Sequence, residues 1–185
     1  MLGKLVIPLM LAGPFLGFGL VVFILFYPLY RKYKNIETLA TTSIKGRVVA
    51  YSLQKNRPPI VEYQVDGQKY ENELEYVRIR YIESPYYPMR TELKSNLLDL
   101  VLVIQKNSAV SRSTVLPNYF PIGTEMTVWY NPKNPKQAFV ERPCGFARIY
   151  KSPCQFAYKF MLVGLFLWLL LAILIPKEIA SAILR

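Results

Sequence analysis

Residues 60–76 read Ile60-Val61-Glu62-Tyr63-Gln64-Val65-Asp66-Gly67-Gln68-Lys69-Tyr70-Glu71-Asn72-Glu73-Leu74-Glu75-Tyr76. Two alternating runs flank an Asp-Gly dipeptide. A type I′ turn needs positive φ at both central positions, and Asp-Gly meets that demand. A two-residue turn sets Val65 opposite Gln68 and Tyr63 opposite Tyr70. Val61, Tyr63 and Val65 then share one face with Tyr70. This hairpin makes the middle of the chain β-rich. The spacing carries the second strand on through Val77, Ile79 and Tyr81, with Arg78 and Arg80 on the opposite face. Pro85 and Pro88 stop it, because proline cannot join a ladder.

Working outward, Ile44 to Leu53 suits a strand through Val48, Val49 and Tyr51. Lys55 to Pro59 is a loop. Val128-Trp129-Tyr130 makes a strand, Asn131 to Pro135 a turn, and Ala138-Phe139-Val140 a returning strand. One segment does not alternate. Leu93, Leu97, Val101 and Ile104 follow at near-helical spacing, and Leu97 to Ile104 is apolar almost all round except at Asp99. Eight residues cannot span a bilayer. A helix is the expected form. A buried strand, or a helix lying against a membrane or partner, are the alternatives, with burial in the domain as the default. Leu97, Leu100, Val101 and Ile104 are the candidate partner-binding residues. Lys106 to Asn118 reads as a polar loop.

The ends differ in kind. The chain has 185 residues, 52% hydrophobic and only 19% charged, and the apolar excess is terminal. Leu5 to Tyr30 carries no charge, which is long enough to cross a bilayer core of about 20 helical residues. It is too long for the apolar stretch of a typical signal peptide, and no small-residue cleavage site follows it. Pro14 predicts a kink, and Gly13 with Gly17 forms a small-xxx-small pair suited to helix contact. Phe160 to Pro176 is also uncharged, and Gln155 to Tyr158 lengthens that second segment. The expected organisation is therefore a membrane protein. Transmembrane helices over 5–30 and 156–176 flank a mostly-β domain at 44–141, a short antiparallel sheet or barrel. That domain carries one apolar, helical insertion at about 82–116. A basic juxtamembrane segment occupies 142–155.

Charge and cysteine bear on sidedness. Arg31 to Lys159 holds 20 of the 23 Lys+Arg and 11 of the 12 Asp+Glu, a net +9. The cations crowd the inner ends of both helices, which by the positive-inside rule favours a cytoplasmic β-domain in a multi-pass protein of the inner (cytoplasmic) membrane. Arg31, Lys32, Lys34, Arg148, Lys151 and Lys159 are candidate contacts for lipid headgroups. Cys144 and Cys154 form a disulfide if they face an oxidising space and stay free thiols in a reducing one.

Two motifs carry a resemblance. The first is Val61-Glu62-Tyr63-Gln64-Val65-Asp66-Gly67-Gln68-Lys69-Tyr70. The second runs from Tyr119-Phe120-Pro121-Ile122-Gly123-Thr124-Glu125-Met126 through Thr127-Val128-Trp129-Tyr130-Asn131-Pro132-Lys133-Asn134-Pro135 to Ala138. Together, over residues 44–141, they resemble DUF3592, a family of bacterial membrane proteins of unknown function. The resemblance implies a compact β-domain on a membrane anchor and no known activity. The chain departs from the family pattern at about Ile82 to Leu116.

Catalytic chemistry finds little footing. Without histidine, Ser-His, Cys-His and His-metal arrangements are excluded. Two cysteines leave a zinc site short of ligands. Glu71, Glu73 and Glu75 alternate on one strand face, either as a cation site or, more simply, as a solvated edge. There is no Gly-rich phosphate loop. No catalytic, cofactor or metal residue is expected. The expected function is non-enzymatic: an accessory or assembly subunit of a larger membrane complex, docking through its β-domain and helices, whose partners are the lipid bilayer and other membrane subunits rather than nucleic acid or a small-molecule substrate. The alternative is a self-contained membrane-anchored binding module, such as a toxin-immunity or sensor protein.

Overall fold

The structure is a computed structural model and describes residues 3–174. The elements run α1 (Gly3–Leu39), β1 (Thr42–Tyr51), β2 (Pro59–Val65), β3 (Gln68–Glu73), β4 (Arg78–Ser84), β5 (Thr91–Leu93), β6 (Val101–Asn107), a 3-10 turn (Arg112–Thr114), α2 (Val115–Tyr119), β7 (Glu125–Asn131), β8 (Asn134–Val140) and α3 (Phe146–Leu174). They make two compact units. The chain up to residue 32 and from residue 147 onward forms one, and residues 33–146 form the other. Residues 175 and 176 of the expected second membrane segment, with Lys177 and Arg185, lie outside the described residues.

The first unit is a helix pair. α1 and α3 are each long and apolar enough, by length and composition, to cross a membrane. α1 runs unbroken through Pro8, Pro14 and Pro28. The helices pack antiparallel, with Phe15 and Phe18 on Phe160 and Phe26 near Tyr150. Small residues make the close approach possible. A Cβ added to Gly19 would fall 2.5 Å from Met161 Cγ, and one on Gly164 would fall 2.9 Å from Phe15 Cβ. Ala12 and Ala157 are fully buried. Ala12 and Gly19, like Ala157 and Gly164, are seven residues apart, the repeat of a seam between supercoiled helices. Gly13 and Gly17, which the sequence suggests as the contact pair, face open space instead. They are rotated off the seam that Ala12 and Gly19 define.

The second unit is built on the hairpin. Asp66 and Gly67 both have positive φ (50° and 79°). β2 and β3 pair with Tyr63 opposite Tyr70 and Val65 opposite Gln68, as the turn dictates. The hairpin joins an antiparallel sheet of order β3-β2-β1-β7-β8. This sheet nearly closes. Its edge strands β3 and β8 come together where the Asn72 side-chain amide donates to the Ala138 carbonyl, and from β2 the Tyr63 hydroxyl reaches across to donate to the Pro135 carbonyl of β8 at 2.6 Å. Gly46 lies where β1 crosses the interior. A Cβ there would meet Val61 Cγ1 at 2.6 Å and the Glu62 carbonyl at 2.7 Å. The β1–β2 register shifts between Val48 and Ala50. That bulge lets Val48 and Tyr51 both reach the core despite being three residues apart. Val61, Tyr63, Val65, Met126, Val128 and Val140 fill the interior, joined by Val115, Leu116 and Phe120 from α2 and the residue after it.

The expected helical insertion is not a helix. Residues 101–107 form β6, the centre of a second sheet of order β4-β6-β5. β4 runs parallel to β6, and β5 runs antiparallel to it. The physical reason is burial on one face only. Leu102 and Ile104 enter the common core, while Val101 between them and the preceding loop is 42% exposed. Leu97 and Ile104 reach that core from different elements, which the period-of-3.6 reading had merged into one stripe. The continuation of the hairpin's second strand through Val77 to Tyr81 is also corrected. β3 ends at Glu73, and the chain then crosses into the second sheet as β4. The alternation itself holds there, with Ile79 and Tyr81 packed on the core and Arg78 and Arg80 exposed. Lys106 to Asn118 is likewise not a loop throughout. It holds the end of β6, the 3-10 turn and α2.

Candidate docking face and cleft

The second sheet has an inner and an outer face. Pairing puts Arg78 beside Val101, Arg80 beside Val103 and Ile82 beside Gln105, which in turn sits beside Glu92 of β5. These residues share the outer face, because neighbours in register point the same way. Ile82 and Val101 are exposed apolar side chains at opposite ends of it, with Arg78 and Arg80 alongside. Of the four residues expected to bind a partner, the structure offers two. Leu100 and Val101 are exposed, whereas Ile104 is fully buried and Leu97 packs against the core. Arg78, Arg80 and Ile82 were not among the expected docking residues. Their alternation was visible, but the strand they face was hidden.

The loop before β6 is pinned rather than loose. The Arg142 guanidinium donates from Nη1 to the Glu75 carbonyl and from Nη2 to the Asp99 carbonyl, both at 2.9 Å, and from Nε to the Leu98 carbonyl. It lies 5.1 Å from the centre of the Tyr76 ring, and the Tyr76 hydroxyl donates to the Leu97 carbonyl at 2.8 Å. Burial pushes the Tyr76 phenol up from its ordinary value. Arg142 is therefore spent on backbone carbonyls, and it adds little to the basic surface the sequence suggested. Arg31, Lys32, Lys34, Arg148, Lys151 and Lys159 are all exposed.

On β6 itself Lys106 is 1% exposed and faces the interior. Its ammonium donates to the carbonyls of Val110 (2.7 Å) and Asn107 (3.2 Å) and pairs with Glu83 at 3.3 Å. Glu83 also accepts from Arg112 Nε at 2.7 Å. Arg112 first, and then Lys106, hold the Glu83 carboxyl below its ordinary value. Every donor on the ammonium is used, so this cluster locks the end of β6 and carries no reactive amine.

A cleft of about 360 Å³ opens where β3 hands over to β4. Glu73, Glu75 and Arg78 line it with Gln54, Asn56 and the rings of Tyr33, Tyr76 and Phe146. Burial pushes the Glu73 carboxyl up, against a hydrogen bond from Ser52. Glu71 is elsewhere, in a shallow depression with Lys69, Tyr70 and Lys136. The three carboxylates therefore do not converge. Among the described residues, no group of three or more His, Cys, Asp or Glu side chains could hold a metal ion. Cys144 and Cys154 are free, buried thiols rather than a bridge. Burial pushes the Cys144 thiol up to about 12, so it stays protonated at neutral pH and makes a poor nucleophile.

The segment from β6 through β8 to the Arg142 staple has a family signature. Residues 103–145 match DUF3592, a domain of unknown function. The DUF3592 match contains the Tyr119–Ala138 motif whole. It begins inside β6, so it takes in the last part of the stretch read as an insertion, while the Val61–Tyr70 motif lies outside it. Arg142 and Cys144 fall within the DUF3592 segment, next to its end. No curated protein and no solved structure matches the chain.

Proposed function

We propose that this chain is a non-enzymatic membrane protein, anchored by α1 and α3 in the inner (cytoplasmic) membrane with its β-unit on the cytoplasmic side. It serves as an accessory or assembly subunit of a larger membrane complex, docking other membrane subunits through its β-unit. Two helices with an apolar run long enough to span support the anchor. The exposed cations at 31, 32, 34, 148, 151 and 159 support the orientation. The observation that carries the docking reading is the outer face of β4 and β6, where Val101 and Ile82 are uncovered beside two arginines. The test is purification of tagged full-length protein from native membranes under mild detergent, with and without Val101→Asp. The variant should keep its melting temperature and lose a co-purifying membrane protein. An unchanged set of companions would remove the docking face from consideration.

The cleft favours a second reading, a binding module that senses a small molecule or neutralises a toxin on its own. Its size falls within the range of small-ligand sites, about 300–1,000 Å³. On that reading Glu73→Gln with Glu75→Gln abolishes the biological effect, while companions and melting temperature stay as in the parent.

A further inference from the structure

Within the helical unit, a groove of about 250 Å³ runs between the two helices. α1 supplies Phe23, Tyr27 and Tyr30, and α3 supplies Lys151, Cys154, Gln155 and Tyr158. Both sets follow i, i+3/i+4, i+7 spacing, so each is one stripe of its helix. The walls are apolar over a stretch of about 10 Å, seven residues of helix. Phe23 and Tyr27 stack at 4.8 Å, and Tyr27 lies 6.4 Å from Tyr30.

The two ends of this groove differ. Because the helices pack antiparallel, Tyr30 and Lys151 mark one end, and Phe23 and Tyr158 mark the other. Arg31 follows Tyr30 in the chain, Arg148 precedes Lys151 by one turn, and Lys159 follows Tyr158 at the other end. Residues 3–32 and 147–174 contain no Asp or Glu at all. The unit thus sets three cations, Arg31, Arg148 and Lys151, at one end of an apolar trough against Lys159 at the other, and of these only Lys151 forms part of its wall. Tyrosine favours the boundary between hydrocarbon and water, which puts the trough at the depth where a headgroup gives way to its chain.

We propose that this groove binds one anionic phospholipid, with Lys151 on the headgroup phosphate and an acyl chain laid along Phe23 and Tyr27. Phosphate and acyl chain together match the two ends in a way that a water-soluble anion or an uncharged lipid does not. The site rests on the membrane anchorage proposed above, and goes beyond it by assigning a lipid class to named residues.

The experiment is native mass spectrometry of the full chain in mild detergent, after delipidation and addition of equal phosphatidylglycerol and phosphatidylcholine. One phosphatidylglycerol should be retained in preference to phosphatidylcholine. Lys151→Gln should weaken that retention about five-fold, the worth of one cation near an anionic headgroup. Gln155→Trp, from an exposed position, should fill the groove and weaken retention while keeping the cation. Lys133→Gln, which removes the same charge from the β7–β8 turn, should leave retention unchanged. Equal retention of the two lipids, no effect of Lys151→Gln, or an equal effect of Lys133→Gln would each overturn the site. Alkaline carbonate extraction of native membranes separates the two claims. A chain that washes off defeats the anchorage itself, whereas one that stays in the membrane yet retains no lipid defeats only the groove.

Discussion

The two sheets of the β-unit share one core but solve the problem of burial differently. The nearly closed sheet of β1, β2, β3, β7 and β8 buries one face of each strand and joins its own edges, so little of its interior depends on anything outside the unit. The sheet of β4, β5 and β6 buries its inner face on the same core and leaves a basic, apolar outer face uncovered. The first is a scaffold whose side chains are explained by folding. The second carries side chains, Val101 and Ile82 above all, that folding alone does not use.

The largest effect that would break this contrast concerns residues three apart on one strand. Ile104→Asp puts a charge into the core and should cost about 4 kcal/mol, enough to unfold the β-unit. Val101→Asp should change stability by less than about 1 kcal/mol. Urea titration of both variants in detergent measures the difference, and comparable losses would mean β6 has no outer face. Next, Gly46→Ala should cost about 2 kcal/mol, because its Cβ has nowhere to go between Val61 and the Glu62 carbonyl. A neutral result would mean that the larger sheet is looser than its geometry implies.

Arg142→Met tests how the second sheet is held. Three carbonyls lose a charged donor, and stability should fall by about 2 kcal/mol. Amide exchange should quicken over residues 97–103 and stay slow in the β2–β3 hairpin. Uniform quickening would show that the two sheets open as one. The smallest effect is with acid. Arg112 and Lys106 depress the Glu83 carboxyl in the folded state below its ordinary value of 4.5. The resulting stabilisation is present above that value and is lost as pH falls through the folded value. The stability gap between the parent and Glu83→Gln should therefore narrow below pH 4.5. A gap that stays constant into acid would remove the ion pairs from the account.

The same contrast explains what the sequence revealed. The Asp66-Gly67 turn, its register and the inward faces of β2, β7 and β8 were legible because alternation and turn chemistry agree there. Leu97 to Ile104 was not legible. A loop with apolar side chains leads directly into a strand, and the combined run mimics a helix. Only the structure separates Leu97, held by the Tyr76 hydroxyl on its carbonyl, from Val101 on β6. Lys106 gave no signal either. A lysine in a polar stretch reads as solvent-exposed until three partners are seen around its ammonium. On the candidate site, the sequence named Leu100 and Val101 but missed the arginines and isoleucine beside them, because the partner strand was misread.

The central position of β1 also sets a schedule for synthesis. β1 lies between β2, which follows it closely, and β7, whose residues come some 74 positions after Tyr51. At about 5–20 residues per second, the ribosome needs roughly 4–15 s to deliver that partner. Through this interval the β1 edge of the nascent chain stays unpaired, and the whole of the second sheet is made while it waits.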